Sequence, residues 1–153
     1  MNDIHFRTAN RADIPAMWEV ALRSKAHWGY DADFMQQCRD ALRPCPEMVD
    51  AGNFHLAESD RVLGVAAVEP PDDDGAVELE QLFVAPDAMG LGLGRSLIAW
   101  AGARAKELGG SHLMILADPQ AEAFYRHMGA VRLHMAPSDA IPGRNLPRMR
   151  LAL

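Results

Sequence analysis

Cysteine is scarce: the 153 residues contain only Cys38 and Cys45. Two thiols exclude a disulfide-stapled scaffold and a cysteine-rich zinc finger. Long apolar runs are lacking as well. No stretch approaches the roughly 18 residues of a membrane span. The opening MNDIHFRTANRAD puts polar and charged residues where a secretory leader needs an apolar core. Positive charge is in deficit, with 15 Lys plus Arg against 21 Asp plus Glu and a formal net charge of −6. That balance argues against non-specific binding of nucleic acid or anionic membrane, which needs a basic surface, but leaves a local basic site open. The expectation is a cytoplasmic protein. What is present suits one folded domain over residues 1–153, since 49% of them are hydrophobic and 24% charged. A chain of this length buries about two-thirds of its unfolded surface without a metal or disulfide.

The order of elements follows from periodicity and breakers. Ile4–Thr8 alternates as a first strand, and Asn10 or Asp13 caps a helix over PAMWEVALRSKA. A second helix is expected over Asp33–Leu42, stopped by Pro44 and Pro46. Asn53–Glu58 and Val62–Val68 read as a hairpin, and Ala76–Val84 as a fourth strand closed by Ala85-Pro86. A helix from about Leu93 to Leu108 follows, with Leu93, Leu97, Trp100, Ala101, Arg104 and Leu108 marking one face. His112–Ala117 is a buried strand, Gln120–Met128 a short helix, and Val131–Met135 and Arg148–Leu153 the last strands. Early helices, an antiparallel meander and then a strand–helix–strand unit define an α/β fold with a mixed, mostly antiparallel sheet.

The chemistry concentrates in LFVAPDAMGLGLGRSLIAWA. A strand ends at a proline, and Gly90, Gly92 and Gly94 alternate before a helix begins. Glycines let a ligand approach the backbone. Free amides of the first helical turn, with the positive end of the helix dipole behind them, suit a phosphate or pyrophosphate. A glycine-rich turn needed only for packing has the same look. Two familiar phosphate loops fail. The lysine of a P-loop is missing from Gly94-Arg95-Ser96, and Arg95 stands where a dinucleotide fingerprint needs glycine.

The succession of LFVAP, GLGLGRSLI, a strand and AEAFYRHMGA resembles the GNAT superfamily of acyl-CoA-dependent N-acyltransferases. In element order the resemblance covers essentially the whole chain, and its motifs are specific from Leu79 to Val131. Where the family's loop has Gln or Arg, and then Arg before the first glycine, this chain has Asp87 and Met89. Arg95 is a possible electrostatic substitute. The resemblance implies a V-shaped opening between the fourth and fifth strands that takes acetyl-CoA. Its pantetheine arm would pair with backbone around Leu82, Phe83 and Val84. Its pyrophosphate would meet amides of Met89, Gly90, Leu91, Gly92, Leu93, Gly94, Arg95 and Ser96. Asp118 stands where many members carry asparagine beside the cofactor, and Tyr125 matches the position of the general acid.

Acyl transfer to an amine needs a base, because an alkylammonium titrates near about 10.4. Glu80 and Glu78 are two apart on the fourth strand and share a face. Glu80 is taken first as the base, with a solvated pair as the other reading. Between the first two helices, Lys25, His27, Trp28 and Tyr30 fall within six residues. In the family this region commonly walls the acceptor site, so His27, Trp28 and Tyr30 are expected to bind substrate. Arg144, in IPGRNLP, is a candidate for an anionic group of the acceptor or for the cofactor. The other histidines lack ligand spacing and read as surface or filler, and no metal is expected. The reading is transfer of an acetyl group from acetyl-CoA to a primary amine on a small molecule or peptide. A binding module without turnover and a protein- or tRNA-directed acetyltransferase are the alternatives, and an edge strand near the C-terminus offers a homodimer contact.

Overall fold

The structure is a computed structural model that describes residues 3–153. Its strands are β1 (His5–Thr8), β2 (Phe54–Glu58), β3 (Val62–Val68), β4 (Ala76–Val84), β5 (His112–Leu116), β6 (Val131–Pro137) and β7 (Asn145–Ala152). Its helices are α1 (Ile14–Ala26), α2 (Ala32–Cys38), α3 (Pro46–Asp50), α4 (Leu93–Glu107) and α5 (Glu122–His127). The seven strands form one sheet in the order β1-β2-β3-β4-β5-β7-β6. Only β4 and β5 run parallel; every other neighbouring pair is antiparallel. None of the described helices is long and apolar enough to cross a membrane.

Helices cover both faces. Gly64 and Val65 are neighbours on β3, so they face opposite sides. Val65 packs with Met17 of α1, Val49 of α3 and Phe54. Gly64 lies under α4 so closely that a Cβ would sit 2.9 Å from Leu97 Cδ1. On that side Ile98, Ala101 and Ala105 of α4 join Val77, Leu113, Ile115 and Met149.

Several boundaries differ from expectation for local reasons. The second helix ends at Cys38, not Leu42, and Pro46 starts α3 at its first turn, where proline's missing N–H is no loss. β7 begins at Asn145 because Pro147 needs no donor there and its carbonyl accepts from Ala117 N at 2.9 Å. The buried face of α4 is Leu93, Leu97, Ile98, Ala101 and Ala105. Arg104 lies beside it, bonding Asn53 Oδ1 at 3.0 Å, and Trp100 stacks on His55. β6 forms one edge of the sheet, with Val131, Leu133 and Met135 exposed.

Of the two readings for the scattered histidines, surface or filler, His55 is the half-buried filler. Its ring lies 4.8 Å from that of Trp100, Nδ1 has no partner, and burial lowers its pKa. The unfolded chain takes up a proton near about pH 6.5 while the folded chain resists it. The stability His55 supplies is therefore complete above that pH and falls as pH drops below it. His55→Phe keeps the stack and removes the titration. Its melting temperature is expected to fall less than the wild type's between about pH 7.5 and 5.5; equal losses in both proteins contradict this account.

Candidate active site

The central gap comes from a short ladder. β4 and β5 pair only at Ala76–Glu78 with His112–Met114. Beyond that, β4 runs on to Val84 against β3, while Ile115 and Leu116 stay paired with β7. A bulge in β4 adds to the divergence, because Val68 pairs with Leu79 and Ala67 with Gln81, leaving Glu80 out of register. Leu82 then packs with the α4 and α5 cluster and Phe83 with Met17 and Phe54. Ala85 N–H donates to Leu63 O at 2.8 Å. Antiparallel alternation then commits the backbone of Phe83 to β3 and turns that of Leu82 and Val84 to the gap. Of the three residues expected to pair with an extended ligand, Leu82 and Val84 are placed for it and Phe83 is not.

The gap opens into a cavity of about 510 Å³. Its walls are Leu79–Val84, the end of α1, the glycine loop with the first turn of α4, and the segment from Ile115 through α5. Gly92 is the N-cap of α4 at φ +79°, and Gly90 has φ +85°, values that favour glycine. A Cβ at either would meet no protein atom within 4 Å, so both open to free space. Gly94 differs: a Cβ there would lie 3.2 Å from the Phe124 ring, so it serves helix packing as well. Met89, Gly90, Gly92, Leu93, Gly94 and Arg95 line the cavity. Leu91 lines a separate depression of about 230 Å³, and the Ser96 amide already donates to Gly92 O at 3.2 Å. Leu91 and Ser96 are thus not among the residues that line the main cavity. Asp87 does not intrude either. It is paired with Arg61 and lies 3.7 Å from Arg23, and Arg61 holds its carboxyl below the usual range.

Glu78 and Glu80 occupy different settings. Arg148 Nη1 donates to both Glu78 oxygens at 2.8 Å. Burial raises the Glu78 carboxyl's pKa against the pull of Arg148. Glu80 keeps contact with water, yet surrounding protein withdraws part of its solvation. That loss, with Glu69 in hydrogen-bonding reach and the charges of Glu78 and Asp139, pushes its carboxyl up to about 7. Tyr125 lines the same cavity and is 6% exposed. Burial, helped by the charge of Asp118, raises its phenol's pKa well above the ordinary value, so the proton stays on.

Asp118 works as a strut. Its Oδ1 accepts the Gln120 amide at 2.9 Å, while Oδ2 accepts Lys25 Nζ at 2.9 Å and the Tyr30 hydroxyl at 2.7 Å. Burial opposes its charge, but these partners overcome it and hold the carboxyl below the usual range. Tyr30 also accepts from Arg144 Nη2 at 2.7 Å and stacks on Phe34. Its hydroxyl is thus spent inside the strut, and neither Tyr30 nor the exposed His27 lines the cavity; of the expected acceptor wall, Trp28 does. Ser24, Lys25 and His127 also line it; Lys25 belongs to the cluster with His27, Trp28 and Tyr30, His127 to the AEAFYRHMGA segment, and Ser24 to no motif. Ser24 and Lys25 close α1 and Trp28 lies in the turn that follows it, so one chain reversal carries all three to the cavity.

Residues 50–129, just over half of the chain, match the family model of the acetyltransferase (GNAT) domain, and the chain belongs to that family. Over its full length the fold is similar to that of the PaiA N-acetyltransferase from Thermoplasma acidophilum, solved with coenzyme A. The two are 16% identical over 99% of both chains, with a TM-score of 0.77. N-acetylglutamate synthase from Neisseria gonorrhoeae, solved with coenzyme A and N-acetyl-glutamate, is 21% identical over 100% of this chain and 36% of its own, with a TM-score of 0.70. Among curated proteins, an amino-acid acetyltransferase from Ralstonia nicotianae is 38% identical over 68 residues. That stretch is 44% of this chain and 15% of the relative, so the chain spans a small part of that protein's length.

The open space at Gly92 generates a test. Gly92→Asp puts a negative charge at the helix N-terminus on a Cβ that meets no protein atom, and Gly92→Asn makes the same shape, with the same backbone strain at φ +79°, without charge. Calorimetry is expected to show acetyl-CoA affinity at least tenfold weaker for Asp than for Asn, with melting temperatures alike. Equal affinities contradict an anion site at this loop.

Proposed function

We propose that the cleft transfers an acetyl group from acetyl-CoA to a primary amine, directly and without a covalent enzyme intermediate. The observation that carries this reading is the parting of β4 from β5, which puts free strand backbone, a glycine-lined helix N-terminus, Glu80 and Tyr125 around one cavity. Leu82 and Val84 offer backbone groups to the pantetheine arm as a neighbouring strand would. The amides of the α4 terminus, with Arg95 beside them, take the pyrophosphate.

Glu80 supports the base role better than Glu78. Its carboxyl titrates near neutrality, where it is ionised often enough to accept a proton and basic enough to hold it. Glu78 has both oxygens engaged by Arg148. Glu80 takes a proton from the ammonium, directly or through water. The freed nitrogen lone pair attacks the thioester carbonyl carbon, a C–N bond forms, and the C–S bond breaks. The electron pair leaves on sulfur, the Tyr125 hydroxyl gives its proton to the departing thiolate, and the second proton shed by the new amide nitrogen passes through water to restore the Tyr125 phenol.

Two variants test the roles. Wild-type turnover is expected to rise with pH through about 7 as Glu80 ionises. Glu80→Gln lacks that limb, runs slowest relative to wild type near neutrality, and recovers as pH approaches the amine's own value of about 10.4. The same raised pKa has a stability consequence. The folded state holds the proton more tightly than the unfolded chain, so wild type loses stability as pH rises from about 4.5 to about 7. Glu80→Gln escapes that loss, and its melting temperature is expected to exceed wild type's above that window. An unchanged pH–rate profile in Glu80→Gln removes the base role.

Tyr125→Phe keeps the ring and deletes the donor. A lost general acid lowers rate by about 10²–10⁴-fold, and at least a tenfold fall in CoA release is expected with acetyl-CoA affinity and melting temperature held. Full activity returns Tyr125 to the core, where it packs with Ile98 and Leu113.

A further inference from the structure

Two cations face one carboxylate beside this cavity. The side chains of Lys25, Arg144 and Asp118 are 13%, 18% and 11% exposed. Asp118 Oδ2 takes Lys25 at 2.9 Å and Tyr30 at 2.7 Å, with Arg144 at 3.6 Å, while Oδ1 takes the Gln120 amide. Three of the carboxylate's roughly four acceptor sites are taken. An ammonium and a guanidinium carry more donors than it accepts, so N–H groups and one positive charge are left over. Scarce water makes that surplus expensive unless an anion joins it. Lys25 stands on the cavity wall; Arg144 does not, and adds its charge from behind Tyr30 and Phe34, 5.1 and 4.8 Å from their rings.

The same cavity carries the opposite sign on β4. Glu80 lines it, with the charges of Glu69, Glu78 and Asp139 acting on that carboxyl. An amine with an uncharged tail answers only this side and leaves the Lys25 side uncompensated. The pyrophosphate site does not need Lys25, because the amides of α4 and Arg95 serve it at a different wall. Resting on the acetyl-transfer reading above, we propose that the acceptor carries its own carboxylate, as a free amino acid does, with its amine toward Glu80 and its carboxylate on Lys25. Arg144 is a positioning residue: it holds Tyr30 and Asp118 in place and raises the positive potential at the Lys25 ammonium.

The test compares free amino acids, the amines left by their decarboxylation, and the corresponding amino-acid amides. Each is assayed for CoA release and for calorimetric binding to CoA-saturated enzyme. Amino acids are expected to exceed their decarboxylated counterparts at least tenfold in kcat/KM. Lys25→Met raises KM for amino acids at least tenfold, leaves kcat and the acetyl-CoA KM within about twofold, and abolishes the preference over the amines. Asp118 keeps Tyr30 and Arg144 in this variant, so the fold is expected to survive, and Lys25→Arg is expected to restore much of the affinity. Arg144→Gln raises the amino-acid KM by a smaller factor, and Arg144→Lys recovers it.

Equal use of amino acids and bare amines by wild type overturns the proposal while leaving acetyl transfer standing. A uniform fall in kcat for every amine in Lys25→Met, or a raised acetyl-CoA KM, assigns Lys25 to the thioester and overturns it too. Lys25-dependent binding of amino acids with no CoA release from any amine supports the carboxylate site and removes the transfer reading instead. Binding of none of the three classes to CoA-saturated enzyme overturns the carboxylate site.

Discussion

The brevity of the parallel ladder between β4 and β5 governs the rest of the molecule. Three residues on each strand pair, and then the strands part. The apex is fixed below the split, where Ser111 N–H donates to Gly75 O at 2.8 Å and ties the start of one strand to the start of the other. Above it each strand is held by its other neighbour, β4 by β3 and β5 by β7. Backbone polar groups are costly to leave unpaired away from water. An opening of this kind persists because solvent or an extended ligand satisfies the inner edge of β4. Two elements converge on its mouth: α4, reached from the end of β4 through the glycine loop of residues 85–92, and α5, reached from the end of β5 through residues 117–121.

Charge in the cleft is divided by element. β4 and its surroundings bring carboxylates, with Arg148 of β7 pairing Glu78 and leaving Glu80 beside Glu69. The α1 end, the β5–α5 connection and the β6–β7 connection bring Lys25, Asp118 and Arg144 into one strut. The strut joins residues more than 90 positions apart, so the geometry of this wall depends on long-range packing. The glycine loop keeps its own acidic residue out of the way, since Arg61 and Arg23 draw Asp87 aside. In a chain of net charge −6, the glycine-lined start of α4 is thereby kept clear of that carboxylate.

Period and punctuation made much of this legible in the sequence. β3 and β4 occupy the expected residues, and α4 begins at Leu93 after its glycines. The glycine loop was read from its residues, whereas the V and the place of Tyr125 came through family resemblance. What escaped has physical causes. Pro46 looks like a stop but is also a good first helical residue, so α3 was missed. The bulge at Glu80 is a matter of register, which alternation alone does not encode. Tyr30 and His27 sit in the expected segment but not on the cavity, because one hydroxyl bonded to Asp118 and Arg144 decides where that segment packs. Ser24 reaches the cavity through tertiary placement and carries no motif, and nothing in their motifs singles out Lys25 or His127 for it.

Hydrogen exchange of the free protein and its acetyl-CoA complex tests the central claim most directly. If the inner edge of β4 receives the pantetheine arm, the Leu82 or Val84 amides gain protection on binding, together with amides of the first turn of α4. Phe83, already paired with β3, changes little, and so do the β5 amides that face β7. Protection that spares Leu82, Val84 and the α4 terminus, or that appears only elsewhere on the molecule, contradicts the account.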